Sequence, residues 1–372
     1  MKKVKIAIAS VLKPVTEPRA YRKLAISLRE TNKYHINIIG FYAKRLPKEP
    51  DIEFTCIFKR NRTHVTRILA PFRFLRRIIR YRPELVIVTT YELLPSAVLG
   101  KLFLGYCLVY DVQENYHQNV LQNSPMPRRV RQVLAFAIKA VERATHFFID
   151  HYFFAERSYP AELSYMRRYT LLENKYSPPA SAPVPATPSV GAKARFLLTG
   201  TITPVYGVLQ GIHWFLSLQQ YYPETHLKIT GHVPQTNFLH DLKRRYGNHP
   251  RISLNLSGRP LPYARIRQDM LEADILLMPY EIVDSIKFKI PTKLFEAIAL
   301  RKPLIISENP VWETLVNTYP AGLSVDFAQP LRAREHFEKL LTLPLYQTAP
   351  GREVLWDSEA PKLTRAVEAL LS

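Results

Sequence analysis

The stretch "KIPTKLFEAIALRKPLIIS", residues 289–307, changes its pattern midway. Pro291 suits a first helical turn, where its missing N–H costs nothing. "PTKLFEAIAL" then reads as a helix, and "PLIIS" as a strand entered through a tight turn. The free N–H groups and dipole at the start of a helix attract anions. Lys289 and Lys293 flank that start, where the dipole disfavours cations unless an anion such as a diphosphate sits between them. Glu296 lies four residues beyond Thr292, on roughly the same face. A carboxylate there can accept hydrogen bonds from ribose hydroxyls. A solvated lysine cluster with an exposed glutamate gives the same spacing, and spacing alone leaves both readings open.

The same helix–strand unit repeats along the chain. Strand-like runs are "VKIAIAS", "INIIGFY", "LVIVTT", "CLVYDV" and "HFFID", then "RFLLTG", "LKITG", "ISLNL", "ADILLMPY", "PLIIS" and "GLSVD". Helical patterns fall at about 18–32, 64–82, 92–104 and 128–143 in the first half. In the second they fall at about 206–221, 236–246, 262–271, 291–300, 310–317 and 330–342. Such alternation predicts parallel sheets with helices on both faces. The Pro/Ala-rich, nearly uncharged residues 177–193 read as a linker. They separate a basic domain, 1–176, from a second, 194–352, with a terminal helix at 353–372. Two such units bind ligands in a cleft between them, at the carboxyl ends of the strands. Gly200 and Gly231 close two strands of the second domain, where glycine allows close approach of a ligand or simply a loop.

Composition narrows the partners. The chain has 372 residues and net charge +21. Residues 1–176 hold 31 Lys and Arg against 14 Asp and Glu, a net of +17, which leaves +4 for the rest. The first half therefore faces something anionic. Two distant cysteines give no disulfide framework or metal cluster and suit a reducing cytosol. The start has no signal-peptide pattern. The apolar region 93–110 is broken by Lys101 and Gly105, so no transmembrane helix is expected.

The stretch at 289–307 also resembles the donor-binding motif of glycosyltransferase family 4, in Pro291, Lys293, Glu296, Lys302 and Pro303. The likeness extends over nearly the whole chain, through "EPRAYRKLAISLRE", "RPELVIVTTYELLPSAVLG", "LVYDVQENY", "LLTGTITPVYGVLQGI", "EADILLMPY" and "LWDSEAPKLTRAVEALL". The resemblance implies an α/β protein of the GT-B fold, two Rossmann-like domains with parallel sheets facing a central cleft. It implies transfer of a sugar from a nucleotide-diphosphate donor, uridine first and guanosine second, to a glycan or lipid-linked acceptor with retention of configuration. The implied donor site comprises Gly200, Thr201, Thr203, Tyr206, Lys289, Pro291, Thr292, Lys293, Leu294 and Glu296. Glu296, Lys293 and Gln113 are the implied catalytic set. Arg19, Thr89, Thr90, Asp111, Glu114 and His117 are the acceptor-side candidates, although a loop-solvating cluster accounts equally for the last three. No cofactor and no metal is implied, since no Asp-x-Asp occurs. The chain departs from the pattern at Phe288, where the family carries its first glutamate. It departs also at Thr203 and Tyr206, where a basic residue is usual, at Thr89 and Thr90, at Gln113 in place of histidine, and at Arg301 in place of glycine.

From Lys59 to Arg82 there are nine basic residues and no acidic one. Placed on a helix, Arg73, Arg76, Arg77 and Arg80 share a face, while Ile68, Phe72, Phe74, Leu75, Ile78 and Ile79 fill the other. The expectation is that the apolar face packs on the sheet. The arginines then meet an anionic membrane surface, with the protein cytoplasmic and peripheral at the inner face of the cell membrane. A same-fold epimerase and a non-catalytic nucleotide-sugar or glycan binder are the alternatives. Nucleic acid ranks last, because no recognisable motif accompanies the charge.

Overall fold

The structure, a computed structural model, describes residues 3–43, 45–59, 65–124, 126–179 and 188–372. Residues 180–187 of the expected linker, and Arg60 and Arg62 of the basic run, lie outside the described residues. The chain divides into two compact units, Met1–Ser177 with Trp356–Ser372, and Pro178–Leu355.

The first unit is built on β1 (Val4–Pro14), β2 (Tyr34–Phe41), β3 (Ile52–Phe58), β4 (Leu85–Val88), β5 (Cys107–Val112), β6 (His151–Phe154) and β7 (Tyr169–Leu171). Their order is β3-β2-β1-β4-β5-β6-β7, and every pair is parallel. The central strands are apolar on both faces because helices cover both. In β1, Ile6 and Ile8 join one core while Ala7 and Ala9 join the other, the two-residue alternation of a strand. The helices Ala70–Tyr81, Leu94–Leu104 and Arg128–Thr145 lie on the Ala7 side. The terminal helix Ala360–Leu371 packs on the Ile6 side through Leu363 and Val367.

The second unit carries β8 (Arg195–Thr201), β9 (His226–His232), β10 (Ile252–Ser257), β11 (Ile275–Met278), β12 (Leu304–Ser307) and β13 (Gly322–Val325). Its order is β10-β9-β8-β11-β12-β13, again all parallel. Counted within the unit this is 3-2-1-4-5-6, the Rossmann order, and the first six strands of the other sheet repeat it. Phe196 anchors the core, its ring 5.8 Å from both Trp214 and Phe215 and 5.6 Å from Phe337. Burial of each such side chain stabilises by about 1.5–3 kcal/mol.

Several expectations are corrected here. "HFFID" is not a strand: His146–Phe148 form a 3₁₀ turn and β6 starts at His151. The first helix begins as a π-helical turn, Arg19–Ala25, before the α-helix Ile26–Glu30. β3, β7 and the helix Tyr116–Asn123 were not expected. The expected helix over 64–82 is a 3₁₀ turn, Val65–Leu69, followed by the α-helix Ala70–Tyr81, and together they do not bury the whole apolar arc. Phe74 and Ile78 are buried, but Ile68, Phe72 and Ile79 are exposed.

Candidate functional site

In the second unit the strand order reverses between β8 and β11. In open parallel sheets the carboxyl ends at such a switch point leave a crevice for ligands. Three segments converge there: the turn after β8, the loop after β11, and the helix Thr292–Ala299, which follows the loop.

β8 ends through Gly200, whose φ of +107° suits only glycine. A Cβ at Gly200 would meet the side-chain end of Lys293, a group that can swing away. Gly231 differs, because a Cβ there would strike the Gly200 carbonyl, so its smallness serves strand packing. Lys293 Nζ donates to the Thr199 carbonyl and lies 5.4 Å from the centre of the Tyr280 ring. Tyr206, at the end of the 3₁₀ turn Pro204–Tyr206, packs against Tyr280 with ring centres 4.8 Å apart. Thr199 Oγ1 is buried and has no hydrogen-bond partner among the described residues. Thr201 is exposed and Thr203 half-buried on the way to that turn.

Pro291 stands just outside the helix as its cap, with φ −59° and ψ 136°, rather than in the first turn. Glu296, one turn in, is only 6% exposed, so it is not a solvated surface carboxylate. Tyr263 Oη donates to Glu296 Oε1 at 2.7 Å. Leu294 is wholly buried, and its N–H bonds to Pro291 O. Lys289 and Thr292 are half-buried. The loop before the helix is held from outside: Asn309 Nδ2 donates to Lys287 O at 3.1 Å and Trp312 Nε1 to Lys289 O at 2.6 Å. Phe288 is 55% exposed, with Lys287 Nζ 5.3 Å from its ring centre. Arg301 adopts φ +49° just past the helix end, the left-handed position where the family pattern has glycine. Lys302 donates to the carbonyls of Leu271 and Ala273, and burial lowers its pKa. It anchors the turn.

In the first unit, Arg19 and Asp111 are 1% and 0% exposed and are spent on each other. Arg19 Nη2 donates to Asp111 Oδ1 at 2.6 Å and Nη1 to Leu172 O at 2.9 Å. The pair ties the first helix to β5 and to the end of β7. Gln113 Nε2 donates to Asp111 Oδ2 at 2.8 Å, while its Oε1 accepts from Lys13 Nζ at 2.6 Å. Thr89 and Thr90 follow β4 at this sheet's own switch point and are buried; Thr90 Oγ1 has no partner among the described residues. Glu114 is exposed and accepts from Asn119 Nδ2 at 3.0 Å. His117 is half-buried, and desolvation, helped by Lys139, lowers its pKa. Of the four arginines, Arg77 is tied to Glu53 at 2.8 Å and Arg73 donates to Ile57 O at 3.0 Å; Arg76 and Arg80 are exposed.

Tyr263, Tyr280, Asn309 and Trp312 were not expected at the site. Only "EADILLMPY" carried a signal, since Tyr280 ends it; Tyr263 is 33 residues from its partner Glu296.

No protein-family model and no curated protein matches the sequence. Solved structures do match in shape. Sucrose-phosphate synthase from Thermosynechococcus elongatus aligns with TM-score 0.69 at 12% identity over 99% of each chain. The Anabaena protein HepE in complex with UDP aligns with TM-score 0.60 at 13% identity, over 100% of this chain and 99% of that one. An Escherichia coli trehalose-6-phosphate structure bound with UDP-2-fluoro glucose gives TM-score 0.62 at 10% identity over 99% of each. With the two Rossmann-ordered parallel sheets, this likeness establishes the GT-B fold.

Proposed function

We propose that this chain is a glycosyltransferase that takes a sugar from a nucleotide-diphosphate donor, UDP-linked first and GDP-linked second. The observation that carries the reading is the Lys293 amine lying over Gly200 at the switch point, with Glu296 buried one turn deeper in the same helix. Solved neighbours of this fold hold UDP or a UDP-sugar. In this chain the donor diphosphate draws Lys293 off the Thr199 carbonyl and meets the helix start, and Lys289 adds charge. Glu296 accepts from the ribose hydroxyls, and Tyr206 and Tyr280 wall the site. Stabilising the leaving diphosphate and holding the acceptor hydroxyl close supply the catalysis, with retention of configuration and no metal. The acceptor is a glycan or lipid-linked sugar at the inner face of the cell membrane, in surface or secreted polysaccharide synthesis.

A second reading, a binder without turnover, is favoured by Phe288, exposed where the related pattern puts a carboxylate. One screen separates them. Melting with nucleotide sugars at 100 times their dissociation constant should gain about 2.7 kcal/mol for the true donor. That donor should then be consumed when acceptor is supplied. Stabilisation without consumption selects the binder, and no stabilisation by any nucleotide sugar refutes both.

A further inference from the structure

The helices Ala70–Tyr81, Leu94–Leu104 and Arg128–Thr145 are neighbours on one face of the first sheet. Each turns large apolar side chains outward. Phe72, Phe103, Phe136 and Phe147 are 68%, 73%, 74% and 87% exposed. On Leu94–Leu104 the outward positions Pro95, Leu99, Leu102 and Phe103 are all apolar, at helical spacing. Most of the exposed large apolar side chains among the described residues belong to this layer and its flanking turns. Monomeric proteins rarely expose apolar surface on this scale without a partner for it.

The charges name the partner. Glu142 is the sole acidic residue in the three helices, and it is buried. Arg76, Arg80, Arg129, Lys139 and Arg143 are exposed on them. Beside Phe147 a cavity of about 550 Å³ is lined by His146, Tyr152, Tyr165, Arg167 and Arg168, with no carboxylate. Aromatic tips among cations, with no exposed acid on the three helices, match an anionic bilayer, whose headgroups take the cations and whose acyl boundary takes the apolar tips.

We propose that this three-helix layer docks on an anionic bilayer by inserting Phe72, Phe103 and Phe136 between the lipids, so that binding outlasts the salt that releases a purely electrostatic contact. This deepens the membrane side of the proposed function and rests on that reading. Its test reads lipid, not nucleotide, so either can fail alone.

The full chain is floated with vesicles of phosphatidylcholine alone and of phosphatidylcholine with phosphatidylglycerol, at low salt and at about 0.5 M, where the Debye length falls well below 10 Å. The wild type should bind the anionic vesicles and keep most of that binding at high salt. The variant Phe72→Ser/Phe103→Ser/Phe136→Ser should bind at least roughly a hundredfold more weakly, because burying a phenylalanine is worth about tenfold or more. Arg76→Gln/Arg80→Gln should still bind, with less preference for anionic lipid. Phe103→Trp gives a second readout. The native Trp214, Trp312 and Trp356 are buried, so only the new indole should shift to the blue on vesicles. A triple serine variant that floats like wild type, or full release by salt, overturns the inference. So does a wild type that ignores vesicles, and if it dimerises until the three phenylalanines are replaced, the face joins copies of this chain.

Discussion

Glu142 is one carboxylate surrounded by tyrosines. Burial pushes it up to about 7, against the pull of hydroxyl hydrogen bonds from Tyr110 and Tyr165. Because its folded value is raised, the folded chain holds a proton that the unfolded chain has released between about pH 4.5 and 7. Its contribution to stability is therefore full below that window, declines as pH rises through it, and is flat above. The difference corresponds to about 3 kcal/mol at 1.36 kcal/mol per pKa unit. Desolvation lowers His117, His151, His226 and His336, which act in the opposite direction, so the effect should be read as a difference between variants. Glu142→Gln should melt near the wild-type temperature at pH 5 and clearly above it at pH 8. A gap that does not change with pH would place Glu142 in an ordinary solvated setting. At this scale the sequence was partly legible. Helical spacing put Lys293 and Glu296 on one short helix, but no local pattern could pair Glu296 with Tyr263 or turn Asp111 inward onto Arg19.

Among elements, the helix Pro310–Thr318 braces the site through its cap and Trp312. Asn309 caps it, accepting from Val311 N–H at 2.9 Å and Trp312 N–H at 3.3 Å, and also ties down Lys287. Trp312 in turn fixes Lys289. Asn309→Ala should cost about 1–2 kcal/mol from the lost cap. It should also weaken nucleotide binding, because the loop before Pro291 loses a tether. A variant that melts lower but binds nucleotide as before would separate the cap from the site. Elements were legible where apolar residues are buried and were misread where they are not. "HFFID" looks like a strand because its phenylalanines look like core, yet Phe147 is 87% exposed. The same confusion assigned Phe72 and Ile79 to the interior. β3 was overlooked for the converse reason: as an edge strand its burial is patchy, and Glu53 and Thr55 interrupt the apolar run.

For the whole molecule, the β-α alternation was enough to foresee two parallel sheets, while strand order had to come from the structure. The first unit is completed only by the last residues of the chain. Buried Glu359 joins Lys175 at 2.6 Å and Lys362 at 2.9 Å, and Trp356 donates to Ser27 at 2.9 Å. The second unit carries the central claim, that its switch point holds a nucleoside diphosphate. The most direct measurement is calorimetric titration of UDP and of uridine into wild type, Glu296→Ala and Lys293→Ala. Wild type should bind UDP far more tightly than uridine. Glu296→Ala should weaken both by on the order of a hundredfold, having lost two hydrogen bonds to a charged group at roughly 1.5–3 kcal/mol each. Lys293→Ala should weaken UDP alone. UDP bound no better than uridine, or a folded Glu296→Ala with unchanged affinity, would contradict the claim.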